Sequence, residues 1–195
     1  MLRKFVFDQN KCVGCNSCVL ACKNEFQTPA EINYRVVRPA NEKADVPERQ
    51  FVNFACAHCD DPACLKNCPV SAYTKRPDGV VQHDVDRCIG CKLCTVSCPY
   101  GSPKYNKAVG KVYKCQFCYQ RLDKNMLPAC VEGCPVGALG VLDVETLSAT
   151  TSLGTYKLEN AVAHLPELPD NNITKPNHRF IVRKAARQVR YDAVG

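Results

Sequence analysis

The sequence predicts an α+β protein built from two similar units, one nested inside the other, with short strands, short helices and many loops. Three observations carry this prediction. The chain has 195 residues, of which 16 are cysteines, far above ordinary usage. The cysteines fall into four sets of four, and these sets are related in pairs by internal repetition. Finally, 10 glycines and 13 prolines favour short elements and frequent turns.

The aliphatic core is small for a chain of this length. Hydrophobic residues make up 46% of the chain, but that share includes the cysteines. Without them it falls to about 38%, below the usual apolar share of about 45–50%. Another stabilising element must therefore supplement aliphatic packing. No run of about 18 apolar residues occurs, so we expect no transmembrane helix, and the N-terminus lacks the apolar stretch of a signal peptide.

Each cysteine set has a defined spacing. Motifs one and three are C-x2-C-x2-C-x3-C, motif two is C-x2-C-x4-C-x3-C, and motif four is C-x2-C-x11-C-x3-C. Proline follows the last cysteine of motifs two, three and four. In chain order the four motifs are Cys12, Cys15, Cys18 and Cys22; Cys56, Cys59, Cys64 and Cys68; Cys88, Cys91, Cys94 and Cys98; and Cys115, Cys118, Cys130 and Cys134.

Three chemistries use this many cysteines, and the spacing favours one of them. Disulfide scaffolds are usually short secreted domains, and structural zinc sites pair two C-x2-C knuckles across a longer loop. The run C-x2-C-x2-C-x3-C-P is instead the iron–sulfur run of bacterial ferredoxins, in which the first three thiolates bind one cluster and the fourth binds its neighbour. The sequence therefore predicts four [4Fe-4S] clusters, with all sixteen cysteines as iron ligands.

Internal repetition pairs the motifs. One constant shift along the sequence places motif one on motif three, with Gly14 on Gly90. A second, slightly smaller shift places the end of motif two on the end of motif four, with Cys64 on Cys130. Each ferredoxin-like unit thus needs one motif of each kind. Spacing alone allows adjacent pairing, one with two and three with four, as well as nested pairing, two with three inside one with four.

The link between motifs two and three favours nesting. It is short, and Val70 to Val85 is expected to form a hairpin around the turn Pro77-Asp78-Gly79, with Val80-Val81 in the returning strand. A compact link of this kind suits the interior of one ferredoxin-like unit. Short helices are expected to follow each C-x3-C end. Further short strands are expected at Lys4–Phe7, Tyr34–Val37, Gln50–Phe54 and Gly137–Asp143.

The motifs resemble a known family of electron-transfer subunits. Spacings of x4 in motif two and x11 in motif four are similar to those of the iron–sulfur subunits of the dimethyl sulfoxide reductase and polysulfide reductase family of molybdopterin oxidoreductases. The likeness covers roughly residues 3 to 182. It extends to the strings Cys88-Ile89-Gly90-Cys91, Cys98-Pro99-Tyr100-Gly101, Pro103-Lys104-Tyr105-Asn106 and Thr174-Lys175-Pro176-Asn177.

The resemblance implies a nested arrangement and a ligand set for each cluster. The outer unit would be residues 1–30 with 107–144, the inner unit residues 55–106, the inserted hairpin residues 31–54, and a docking tail residues 145–195. The ligand sets would be Cys12, Cys15, Cys18 and Cys134 for cluster one; Cys22, Cys115, Cys118 and Cys130 for cluster two; Cys56, Cys59, Cys64 and Cys98 for cluster three; and Cys68, Cys88, Cys91 and Cys94 for cluster four.

The resemblance also implies a function without catalysis. The chain would relay single electrons between a membrane anchor subunit that interacts with quinone and a large molybdopterin catalytic subunit, with cluster one nearest the catalytic subunit. Assembly in the cytoplasm and folded export would place it on the outer face of the membrane. A free-standing soluble polyferredoxin is the alternative. No phosphate-binding glycine motif and no nucleic-acid recognition motif accompanies the cysteines.

Four further features of the sequence do not involve the cysteines themselves. His58 lies between two motif-two cysteines and is expected to be a supporting or surface residue. Lys104 and Tyr105 follow motif three, in a loop or at a quinone or anchor contact. The segment from His178 to Tyr191 is rich in basic residues and is expected to be a solvated or docking face. The formal charge is +7, and four clusters with a net charge of about −8 would lower it to about −1.

Overall fold

A computed structural model describes residues 2–40 and 50–182 of the protein. Short strands and short helices alternate along this part of the chain. The strands are β1 (Arg3–Asp8), β2 (Val36–Pro39), β3 (Phe51–Phe54), β4 (Tyr73–Lys75), β5 (Val81–His83), β6 (Lys104–Asn106), β7 (Lys111–Tyr113), β8 (Leu139–Asp143), β9 (Ser148–Thr151), β10 (Gly154–Lys157), β11 (Ala161–Val162) and β12 (His178–Ile181). The helices are α1 (Ser17–Phe26), α2 (Ala63–Lys66), α3 (Leu93–Ser97), α4 (Tyr119–Leu122) and α5 (Ala129–Glu132).

The largest sheet has six strands in the order β10-β9-β8-β1-β12-β11. Strand β1 lies at its centre, antiparallel to β8 and parallel to β12. The strands predicted at Lys4–Phe7 and Gly137–Asp143 are thereby confirmed, although the second begins two residues later than expected. Most of the region predicted as a tail, residues 148–181, forms β9 to β12 and completes this sheet. The basic residues beyond position 182 lie outside the described residues.

Three two-stranded sheets carry the rest of the chain. The inserted hairpin pairs β2 with β3, in the register Val36 with Phe54. It confirms the strand predicted at Gln50–Phe54, whereas the strand predicted at Tyr34–Val37 begins and ends two residues later. Residues 41–49 of its loop lie outside the described residues. The hairpin between motifs two and three is also confirmed, since β4 pairs with β5. Its turn closes where Gly79 N donates to the carbonyl oxygen of Arg76 at 3.0 Å, and Pro77 suits the second position of such a turn.

The helix prediction was wrong in position. Helices were expected after each C-x3-C end, but α2, α3 and α5 begin just before the third cysteine of their motifs and end before the fourth. Proline follows the fourth cysteine in these three motifs, and a residue before proline avoids the helical conformation. Cys98, for example, is extended with φ of −81° and ψ of 112°. Motif one has Lys23 in place of proline, and α1 continues to Phe26.

The internal repeat is visible in the backbone. Gly14 and Gly90, which coincide when motif one is placed on motif three, have φ of +72° and +71°. Asn16 and Lys92, related by the same shift, precede α1 and α3 and have φ of +61° and +66°. Motifs one and three therefore share one loop conformation. It turns the chain from a cysteine loop into a helix.

Two cores differ in size. The larger packs the central sheet against α1 and α5 and includes Phe5, Phe117 and Phe180 together with cysteines of motifs one, two and four. The smaller contains only Tyr73, Val81 and Val112 as buried residues other than cysteine. The smaller core therefore contains little aliphatic packing. Among the described residues, no helix has the length and apolar character needed to cross a membrane.

Candidate iron–sulfur centres

All sixteen cysteines lie within the described residues, and every one is a free thiol. They gather into four groups of four, which we call sites one to four. No three His, Cys, Asp or Glu side chains of the described residues converge closely enough to hold a single metal ion. A four-iron cluster has a different requirement, because each of its four thiolates binds a different iron and the sulfurs must surround a volume.

Site one joins motif one to the last cysteine of motif four. The thiol of Cys12 has those of Cys18, Cys134 and Cys15 as electrostatic neighbours, and burial raises its pKa to about 11. The approach of α1 to α5 makes this possible. Between Cys130 and Cys134, Gly133 allows the contact, since a Cβ there would lie 2.7 Å from the Cβ of Ala21.

Site two takes the last cysteine of motif one. Cys22 lies one helical turn after Cys18 on α1, and its electrostatic neighbours are Cys115, Cys130 and Cys118. Burial raises the pKa of the Cys22 thiol strongly. All four thiols are buried. Helix α1 therefore presents two cysteines to two different groups.

Site three joins motif two to the last cysteine of motif three. Cys56, Cys59, Cys64 and Cys98 line one cavity. Burial raises the pKa of Cys64 to about 12. The sulfur of Cys59 lies 3.3 Å from the hydroxyl of Thr174, in a hydrogen bond. Thr174 belongs to the segment that leads into β12, so this segment lines part of the site-three cavity.

Site four joins motif three to the last cysteine of motif two. Cys68, Cys88, Cys91 and Cys94 line a second cavity, together with Tyr73. Cys91 is exposed and Cys68 and Cys88 are half-buried. Site one is similar, because Cys15 is exposed there. Sites one and four thus reach the surface, whereas no thiol of sites two and three is exposed.

Backbone amides donate hydrogen bonds to the cysteine sulfurs. Such donors stabilise the thiolate form and the negative charge of a bound cluster. Two of these bonds are related by the internal repeat, because Ala72 and Cys68 coincide with Ala138 and Cys134 when motif two is placed on motif four. The pairs are Ala72 N to Cys68 Sγ at 3.3 Å, Ala138 N to Cys134 Sγ at 3.3 Å, Gly90 N to Cys88 Sγ at 3.4 Å and Phe117 N to Cys115 Sγ at 3.4 Å.

Electrostatic interactions connect cysteines and a tyrosine of neighbouring sites. Cys115 of site two has Cys56 of site three as an electrostatic neighbour. Tyr73 has Cys94 of site four and Cys64 of site three as electrostatic neighbours. Sites one and two share helix α1, as described above. The four sites therefore form a continuous series from one to four.

Two buried cations near the sites were missed by sequence reasoning. Arg35 and Lys114 are each 2% exposed. Lys114 Nζ donates to the carbonyl oxygen of Val81 and, at 2.8 Å, to that of Cys115. It also lines the cavity of site three. The one available signal was a lysine directly before Cys115, and Arg35 had none because it lies far from any motif.

The other residues singled out from the sequence have defined places. His58 is buried in the wall of site three, where its Nδ1 accepts a hydrogen bond from Val81 N at 3.0 Å. Burial holds its pKa well below the usual range, so His58 is a neutral supporting residue and not a surface one. Lys104 and Tyr105 are half-buried in β6. The ammonium of Lys92 lies 4.1 Å from the ring centre of Tyr105.

Comparison with known protein families identifies two matching models. A 4Fe-4S dicluster domain matches residues 47–144, and a 4Fe-4S binding domain matches residues 5–27. The first match spans motifs two, three and four, and the second contains motif one. Both descriptions agree with the iron–sulfur prediction.

Curated relatives cover most of the chain. The B chain of the anaerobic dimethyl sulfoxide reductase of Escherichia coli is 37% identical over 182 residues, which is 89% of this chain and 85% of that protein. The B chain of the same reductase from Haemophilus influenzae is 37% identical over 183 residues, with the same coverage. The B subunit of the tetrathionate reductase of Salmonella typhimurium is 38% identical over 178 residues, which is 88% of this chain and 69% of that protein.

Proposed function

Because this protein belongs to the family of iron–sulfur subunits that includes the B chains of dimethyl sulfoxide and tetrathionate reductases, we propose that it holds four [4Fe-4S] clusters and relays single electrons between two partner subunits. One partner is a large molybdopterin catalytic subunit. The other is a membrane anchor subunit that interacts with quinone. The chain itself is an electron-transfer subunit and carries no catalytic site of the complex.

The grouping of the cysteines is the observation that supports four clusters. Sites one to four each collect three cysteines from one motif and one cysteine from a partner motif. The fourth cysteine of motifs one, two and three crosses to the neighbouring site, as does that of motif four, which is the exchange expected of two-cluster ferredoxin units. The proposed ligands are therefore the four site groups as given above.

The same exchange supports the nested arrangement. Cys134 joins the motif-one group and Cys22 joins the motif-four group, so motifs one and four form the outer unit. Cys98 joins the motif-two group and Cys68 joins the motif-three group, so motifs two and three form the inner unit. We keep residues 1–30 with 107–144 as the outer unit and residues 55–106 as the inner unit.

The gradient of exposure supports a relay. When bound, each cluster accepts and passes on one electron. The protein buries all four thiols of site two, and exposes one thiol each at sites one and four. Electrons would therefore enter and leave at the two ends and pass through the shielded interior. Site one is proposed to face the catalytic subunit and site four the anchor subunit, on the outer side of the membrane.

Cross-linking tests which partner subunit faces each end of the relay. Leu20 and Val96, which coincide when motif one is placed on motif three, are 61% and 85% exposed beside sites one and four. A photo-cross-linker at position 20 should capture the catalytic subunit, and one at position 96 should capture the anchor subunit. Matched placement at exposed Ile173, far from both motifs in sequence, gives the background. Capture of the same partner from both positions would contradict the proposed orientation.

Metal analysis and copurification test the clusters and the partners separately. The purified chain should contain about sixteen iron and sixteen sulfide. A stable complex with a large molybdenum protein supports the relay between subunits. A fully loaded chain that purifies alone supports a free-standing polyferredoxin instead. Stoichiometric zinc without sulfide would overturn the cluster proposal.

A further inference from the structure

Arg35 is a buried cation whose hydrogen-bonding capacity is only partly used. It lies next to the start of β2, in the inserted hairpin, and is 2% exposed. Its Nη1 donates to Oδ1 of Asn53 at 2.6 Å, and its guanidinium carbon lies 4.6 Å from the ring centre of Phe5. Its Nε and Nη2 are buried and have no hydrogen-bond partner. Two donor groups are therefore available to an acceptor outside the polypeptide.

The surroundings of Arg35 are cysteines. Within the described residues, the salt bridges include none that pairs Arg35 with a carboxylate. Burial by itself would lower the pKa of the guanidinium, but the surrounding thiols, as thiolates, raise that pKa above its usual value. One of these thiols belongs to site one and three belong to site two. In order of influence they are Cys130, Cys18, Cys115 and Cys22.

A buried guanidinium without an anion is strongly unfavourable, because it loses its hydration and gains no compensating charge. A four-iron cluster with four thiolates carries a net charge of about −2 when oxidised. Two such groups, at sites one and two, would supply the missing negative charge near Arg35. The sulfur atoms there would also accept hydrogen bonds from Nε and Nη2.

Asn53 connects the guanidinium to one ligand. It lies on β3, opposite Val37 of β2, and is 4% exposed. Its Oδ1 accepts from Arg35, and its Nδ2 donates to Cys18 Sγ at 3.2 Å. The amide therefore holds the guanidinium in place and stabilises negative charge on the Cys18 sulfur. Both side chains come from the hairpin, so this insertion delivers a positive charge into the outer unit.

We propose that Arg35, held in place by Asn53, is a positioning residue that raises the reduction potentials of the clusters at sites one and two. Reduction adds one negative charge to a cluster, and a nearby buried cation stabilises that charge with little screening by solvent. The proposal rests on the cluster assignment proposed above. It gives the inserted hairpin a function in setting the potential of the outer unit.

Redox titration of the intact complex, followed by electron paramagnetic resonance, tests the proposal. In Arg35→Gln, two of the four midpoints should become more negative, by about 59 mV or more, which is a tenfold lower ratio of reduced to oxidised cluster at a fixed potential. For the other two clusters, the ratio of reduced to oxidised cluster at a fixed potential should change less than twofold. Arg35→Lys keeps the charge and should recover more than half of the shift.

Arg38→Gln is the matched control, because it removes the same charge from an exposed position of the same hairpin. In this variant, the ratio of reduced to oxidised cluster at a fixed potential should change less than twofold for all four clusters. If Arg35→Gln lowers cluster loading, Asn53→Ser is the second variant. It should shift the site-one midpoint more than the site-two midpoint, since only Cys18 loses a hydrogen bond.

Two kinds of failure are distinguishable. Iron and sulfide counts far from sixteen in the unmutated chain would overturn the cluster assignment itself. Normal counts with unshifted midpoints in Arg35→Gln, or with equal shifts of all four, would overturn only the function given to Arg35. If Arg35→Gln does not bind its clusters, unshifted midpoints in Asn53→Ser would likewise overturn the function given to Arg35.

Discussion

Gly90 lies directly against the backbone of Gly110. A Cβ built on Gly90 would be 2.0 Å from the carbonyl oxygen of Gly110 and 3.2 Å from its carbonyl carbon. The contact packs the motif-three loop on the hairpin of β6 and β7. A backbone oxygen cannot rotate away as a side chain can, so position 90 has no space for any other residue.

Gly90→Ala should therefore destabilise the inner unit and reduce the loading of site four. Left-handed φ alone costs an alanine about 1–2 kcal/mol, and overpacking adds about 1–3 kcal/mol. Gly101→Ala is the control, because Gly101 also has positive φ but a Cβ placed there would have no atom within 4 Å. Denaturant midpoints and iron content measure both effects, and equal effects of the two variants would contradict the packing argument.

Cys91→Ser should alter one cluster only. Cys91 is the exposed thiol of site four, and a serine oxygen is a poorer ligand for iron than a thiolate. We expect the electron paramagnetic resonance signal of the site-four cluster to change or disappear and the other three to remain. Val96→Ala, at an exposed position of α3 nearby, serves as the control. An unchanged site-four signal in Cys91→Ser would show that the proposed ligand set is wrong.

Removal of iron should abolish the folded state, and strands β4 to β7 around the smaller core should be the more affected. Besides cysteines, the smaller core has only Tyr73, Val81 and Val112 as buried residues, so little apolar surface of this core remains to stabilise β4 to β7 once the thiols no longer bind iron. Hydrogen exchange should show complete loss of protection in these strands and partial loss in β1 and β8. Mock treatment without chelator is the control. A cooperative unfolding transition of the iron-free protein would contradict this expectation.

Acidification should destabilise the protein through His178. This residue is buried on β12 among the rings of Phe5, Phe54 and Phe180, and burial lowers its pKa to about 3. Its pKa in the unfolded chain is about 6.5, so between these values only the unfolded state binds the proton. The free energy of unfolding therefore has its full value above pH 6.5 and decreases as pH falls toward 3. The decrease is about 1.4 kcal/mol at pH 5.5.

The measurement is the denaturant midpoint of the loaded protein at pH 7.5, 6.5 and 5.5. His178→Phe should reduce the fall in midpoint between pH 7.5 and 5.5. His164→Gln, at an exposed position, should leave that fall unchanged. An identical fall in His178→Phe and in the unmutated protein would show that His178 does not carry this pH dependence.

Local patterns predicted much of the chain. The turn residues Pro77 and Gly79 mark the hairpin between motifs two and three, and short apolar runs mark β1, β3 and β8. Helix positions were not predicted correctly, because the effect of the proline after the fourth cysteine on the residue before it outweighed the expectation of a helix after the motif. Residues 145–195 were expected to form a docking tail, yet four strands between Ser148 and Ile181 pair into the main sheet.

Cysteine spacing is a local property, and for this reason the iron–sulfur chemistry could be predicted from the residues alone. Three thiols within seven residues in motifs one and three, or within nine in motif two, must lie close together, whatever the rest of the chain does. The sequence also determined the repeat, and with it the need for each unit to contain two motifs.

The tertiary structure decided which distant cysteine completes each group and which charges lie between the groups. Those contacts depend on how helices and strands pack, as in the approach of α1 to α5 beside Gly133. Arg35 illustrates the limit of the sequence. It belongs to no motif, and its nearest cysteine along the chain, Cys22, lies before the inserted hairpin. The pairing of β2 with β3 brings Asn53 beside Arg35, next to cysteines of both outer sites.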